Sequence, residues 1–123
     1  MYSTKDLKRV LLKNLASEFK VIKFYVDNLE NLNYAKNKKK VDSLIVDSFK
    51  HAAMITKEVL ALHKGKDVVV SKSIRERAMR EEVAVREIYA YELSRTSDPK
   101  IKKLLRQLIA EEKKHEKIAK SLK

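Results

Sequence analysis

The chain has 123 residues, with 29 Lys and Arg against 17 Asp and Glu, a net charge of +12 and no cysteine. Lack of cysteine excludes disulfides, thiolate metal sites and iron–sulfur clusters, while a single Gly and a single Pro exclude a turn-rich β fold and favour long helices. No apolar run approaches the ~20 residues of a membrane span, and residues 1–13 lack the apolar centre of a signal peptide, so one soluble, all-helical cytoplasmic domain over residues 1–123 is expected. The basic excess is even: 13 basic against 7 acidic groups in residues 1–64, and 16 against 10 in residues 65–123. An even excess mainly gives solubility and weak polyanion binding. The one dense cluster is Lys36, Lys38, Lys39 and Lys40.

Apolar residues recur at helical spacing through most of the chain. A first helix is predicted over residues 3–31, with Ser3 and Asp6 as an imperfect capping box and an inward stripe of Leu7, Leu11, Leu15, Ile22, Tyr25, Leu29 and Leu32. Residues 31–37, with three Asn, make a turn. The second helix is predicted over residues 38–63, with Leu44, Ile45, Ala52, Ile55, Val59 and Leu62 inward and Gly65 as a left-handed C-cap. His63, at that helix end, reads as a dipole partner. Consecutive Val68, Val69 and Val70 favour an extended segment over residues 66–72. Ser73 and Glu76 form a capping-box pattern that opens a third helix to about residue 95. Asp98 as N-cap and Pro99 at the first position start a fourth helix that runs to the C-terminus through Ile101, Leu104, Leu105, Leu108, Ile109, Ile118 and Leu122. These elements make a four-helix bundle of two hairpins, residues 3–64 and 71–123, joined by a crossover over residues 65–72.

Several polar residues lie on the apolar stripes. Glu18 falls between Leu15 and Ile22, Ser48 and His51 between Leu44 and Ile55, and Glu82 between Ala78 and Val85. In the last helix Leu108, Glu112, His115, Ala119 and Leu122 are spaced four, three, four and three apart. Inward carboxylates are costly unless paired, protonated or bound to a metal. Glu112 and His115 stand one turn apart on one face, close enough to share a cation.

The chain also repeats itself at an offset of 64 residues. Glu18 aligns with Glu82, Ser48 with Glu112, His51 with His115 and Tyr25 with Tyr89, and each Glu precedes its His by 33 positions. In each hairpin the Glu lies 13 residues from the turn, about 20 Å at 1.5 Å per residue, and the return leg is equally long. Both sets of polar groups are therefore expected at one height, mid-bundle.

This constellation resembles the ferritin-like superfamily and, within it, the rubrerythrin or erythrin branch, over essentially the whole chain. The pattern there is one Glu from each of two helices and a Glu-x-x-His from each of the other two. Glu18 and Glu82 match the single carboxylates, Glu112 and His115 one complete Glu-x-x-His, and His51 the second His, whose Glu is replaced by Ser48. Tyr25 and Tyr89 match tyrosines that hydrogen-bond the carboxylate shell. The resemblance implies a di-iron or manganese centre held by Glu18, His51, Glu82, Glu112 and His115, reacting with peroxide or dioxygen in oxidative-stress chemistry or iron oxidation. Ser48 leaves three outcomes open: an altered dinuclear site using Asp47 or water, a mononuclear site, or a metal-free relic. Rubrerythrins usually carry a Cys-rich rubredoxin domain, so electrons are expected here from an external donor. The rival expectation is a metal-free basic helical module that binds nucleic acid or an acidic protein.

A ferritin-like path makes the second and third helices parallel. From His51 to His63 and from Ser73 to Glu82 the helices cover about 32 Å, and ten extended residues reach at most about 33–36 Å. Either residues 66–72 are nearly straight, or the second hairpin belongs to a partner chain in a helix-exchanged homodimer, and the plain alternative is an up-down-up-down bundle with a slack loop.

Overall fold

Helices start where a side chain takes up amide groups that the first turn leaves unpaired. The structure, a computed structural model, describes residues 3–63, 65 and 68–123. Its helices are α1 (Thr4–Asp27), α2 (Tyr34–Leu62), α3 (Lys72–Arg95) and α4 (Pro99–Lys120). No strand occurs among the described residues, so the fold class is all-α as expected.

Ser3 caps α1: its Oγ accepts from the Asp6 amide at 3.1 Å and donates to Asp6 Oδ2 at 2.9 Å. The helix ends at Asp27, four residues before the predicted end, because Asn28 turns back on it. The Asn28 side-chain amide donates to the Phe24 carbonyl at 2.8 Å, which satisfies an end carbonyl and stops propagation. The turn falls at residues 28–33 rather than 31–37, and closes through Asn33 in the left-handed region (φ 50°), which Asn tolerates better than most residues. α2 thus opens at Tyr34. It is non-helical at Asn37 (φ −105°, ψ 20°), where the side-chain amide donates back to the Leu32 carbonyl at 2.9 Å.

The predicted Gly65 cap does not form. α2 leaves the helical path earlier, at His63 (φ −72°, ψ 118°), and Gly65 does not have a positive φ. His63 Nδ1 lies 3.0 Å from Lys8 Nζ, so the ring is held against the start of α1 rather than along the end of its own helix. Of the segment predicted as extended, Lys66 and Asp67 lie outside the described residues, and Val68–Val70 lie outside any helix. The third helix begins two residues before its prediction. Ser71, not Ser73, accepts from the Ile74 amide at 3.1 Å, and Glu76 pairs with Lys72 at 3.9 Å instead of closing a box. At α4 the prediction holds, since Asp98 Oδ1 accepts from the Lys100 and Ile101 amides at 2.9 and 3.1 Å with Pro99 in the first turn. Asp98→Ala is expected to cost about 1 kcal/mol of stability, as N-cap losses typically do, read by urea unfolding. A change below a few tenths would show the cap to be idle.

The chain divides into two compact units, Met1–Gly65 and Lys66–Lys123. In the first, α1 packs on α2; in the second, α3 packs on α4. Both pairs are antiparallel: Lys8 meets His63 while Glu18 meets His51, and Arg75 reaches the Leu122 carbonyl while Glu82 meets His115. Burial follows the 64-residue repeat. Val41 and Leu105, at equivalent positions, are 3% and 8% exposed. Ile22, Ala52 and Ala119 complete the buried apolar residues, and Ser48 is buried with them. Leu11, Leu15, Tyr25, Leu29 and Leu32 are half-buried as the stripe requires. Leu44, Ile101, Leu104, Ile118 and Leu122, predicted inward, are exposed, because the contact seam runs through Val41, Ser48 and Ala52 on α2 and through Leu105, Leu108 and Glu112 on α4.

Candidate metal centre

In the second hairpin the helical phase of α3 turns Glu82 towards α4, and the spacing of Glu112 and His115 presents both to it. His115 Nδ1 lies 3.4 Å from Glu82 Oε2 and 3.5 Å from Glu112 Oε2. One ligand atom from each of the three lies within 4.8 Å of those of the other two. The Glu112 side chain is 15% exposed, and its Oε2 is buried with no hydrogen-bond donor. A buried carboxylate oxygen without a donor is costly. It needs a proton or a cation.

The metal-free chain can supply the proton. A hydrogen bond shared with Glu82, then burial, then the charge of Glu82 hold the Glu112 carboxyl above its ordinary range, and His115 opposes them. A raised carboxyl binds its proton more tightly in the folded chain. Its stabilising contribution is complete below the ordinary glutamate pKa and is lost as pH rises through the raised value. Metal-free wild type should therefore lose melting temperature relative to metal-free Glu112→Gln as pH rises from the ordinary glutamate range through the raised value. A difference that stays constant with pH would contradict the shared proton.

A cleft of about 270 Å³ opens beside the cluster, lined by Ala78, Glu82, His115, Ile118, Ala119 and Leu122. At about 30 Å³ per water it admits several small molecules. A roomier hollow, about 520 Å³, lies in the first hairpin among Thr4, Lys5, Lys8, Arg9, Leu12, Leu62 and His63. It contains no carboxylate, and its chemistry is that of a cationic surface rather than of a metal site.

The first hairpin repeats part of the arrangement. His51 Nδ1 lies 3.4 Å from Glu18 Oε1, the same separation as His115 to Glu82. Where Glu112 stands in the second hairpin, the first has the buried hydroxyl of Ser48. Asp47 is exposed, and no group of three metal-ligating side chains forms in this hairpin among the described residues. Tyr25 and Tyr89 are half-buried, with the Tyr25 ring edge-on to Phe24 at 5.4 Å. Among the described residues neither hydroxyl hydrogen-bonds a carboxylate. Seven positions put each Tyr Cα about 10 Å along the helix from its Glu, which is far for a direct bond.

Sequence reasoning missed one polar pair. Arg86 Nε and Nη2 donate to both oxygens of Glu116, at 2.5 and 3.1 Å, with side chains 28% and 19% exposed. Arg86 stands one turn beyond Glu82 and Glu116 one turn beyond Glu112. The repeat carried the signal: the equivalent positions in the first hairpin are Ile22 and Ala52, both buried and apolar. Opposite charges at two positions that are buried and apolar in the other repeat predict an ion pair.

No helix among the described residues is long and apolar enough to cross a membrane. Neither a curated protein nor a solved structure matches the chain. The family model for rubrerythrin does match, over residues 9–123, so the two carboxylate–histidine hairpins described here make up a chain that belongs to the rubrerythrin family.

Proposed function

We propose that this chain is a metal-dependent redox protein that reacts with peroxide or dioxygen, in oxidative-stress chemistry or iron oxidation. The observation that carries the reading is the orphaned Glu112 oxygen, buried between Glu82 and His115 and without a donor. The donors fit the group that the family implies. Two carboxylates and an imidazole are hard or borderline ligands that suit iron or manganese. Glu82, Glu112 and His115 would hold the metal in the second hairpin; Glu18 and His51 are the corresponding donors of the first. When bound, iron or manganese supplies the electrons that reduce the oxidant.

The chain's own residues do the rest. His115 turns Nδ1 towards both carboxylates, so Nδ1 is the ring nitrogen that would face a cation held between them, with Nε2 then carrying the ring proton. A cation held there would take the place of the proton on Glu112, so loading would release protons and strengthen as pH rises. The small side chains of Ala78 and Ala119 leave the cleft open beside Glu82 and His115. Electrons return from a separate donor.

The test is metal analysis of the purified protein, followed by peroxide consumption by the reduced, loaded chain. Bound iron or manganese, a melting temperature that rises with added metal as RT ln(1 + [L]/Kd), and peroxide loss abolished by a chelator are expected. An empty protein whose melting is indifferent to Fe(II) and Mn(II), but which binds polyanions with steep salt dependence, would replace this reading with the basic binding module.

A further inference from the structure

We infer that the chain holds a single metal ion rather than a pair, and holds it with the second hairpin alone; the inference rests on the metal-binding reading above. The two hairpins are repeats, so each donor has a counterpart 64 residues away. Glu18 and Glu82 match, as do His51 and His115, down to a common 3.4 Å separation. The third pair does not match. Glu112 places a buried, donorless oxygen beside its neighbours, whereas Ser48 places a short hydroxyl in the seam.

A neutral hydroxyl neither compensates a dication nor bridges two of them as a carboxylate does. Three donors with two negative charges neutralise a divalent ion and leave its remaining positions to water. Glu18 and His51 offer two donors and one charge. Asp47, the nearest spare carboxylate, is exposed one residue away, about 100° round α2 from Ser48. The first hairpin therefore keeps the remnant of a site, and the second keeps a working one. Burial supports this division: Ser48 is 7% exposed, so its position has become part of the core.

The full-length chain, loaded anaerobically with Mn(II) and freed of excess metal, should contain one ion per chain. Its electron paramagnetic resonance spectrum should be that of an isolated ion. Ser48→Glu, which rebuilds the missing carboxylate, should raise the count towards two. Glu18→Gln should leave the wild-type count at one. Two ions per wild-type chain, or loss of the ion in Glu18→Gln, would overturn the inference while leaving metal-dependent function intact. No ion in the wild type would overturn the functional reading itself. If Ser48→Glu loses its helical circular dichroism, Ser48→Asp reads the same point with one methylene less in the seam; a folded variant of either kind that stays at one ion would show that Ser48 is not the missing ligand.

Discussion

Glu112→Gln protein binds Mn(II) at least about 100-fold more weakly than wild type, because the substitution removes a ligand itself, and groups that merely support ligands already contribute about 10–100-fold. The side chain keeps its length and its place in α4, so the loss reads charge and donor number rather than packing. Glutamine also offers a donor to Glu82, which replaces the shared proton of the metal-free state, so the variant folds without metal. Glu111→Gln, at the exposed neighbouring position, removes the same net charge from the same helix and leaves the affinity unchanged. Isothermal titration of the two variants separates a ligand effect from a field effect. Equal losses in both would mean that the cation is held by overall charge.

The second large effect concerns the ion pair one turn from the cluster. Glu116→Ala strands the Arg86 guanidinium in a half-buried seam, where an unpaired charge is much more costly than a pair. A clear fall in melting temperature is expected. The double variant Arg86→Ile with Glu116→Ala copies Ile22 and Ala52, the buried apolar residues at the equivalent positions of the first hairpin, and should recover most of the loss, since apolar replacement of a buried pair is often neutral or stabilising. By contrast, the exposed pairs Arg9–Asp6, Lys38–Asp42 and Lys23–Asp27 lie within single helices and contribute little. A double variant as unstable as the single one would show that the pair does more than fill the seam.

Much of this was legible in the sequence because the repeat supplies an internal control. Glu18 with His51, and Glu82 with His115, are separated by the same 33 positions, and each pair meets at the same distance in its own hairpin. The start of α4 was legible because Asp-Pro leaves one reading of cap and first turn. The ends of α1 and α2 were not. Asn28 competes for the Phe24 carbonyl with a side chain whose direction no periodicity reveals. Ser71 and Ser73 are both good caps, and only packing distinguishes them. His63 leaves the helix before Gly65 because its ring lies against Lys8, a contact 55 positions away in sequence. Arg86 and Glu116 stand out as a pair only when their equivalents, Ile22 and Ala52, are set beside them.

Anomalous diffraction from crystals of the manganese-loaded chain tests the central claim most directly. One strong peak within bonding distance of Glu82, Glu112 and His115 is the result expected. A peak bound elsewhere, or none at those three side chains in a fully loaded sample, would contradict it.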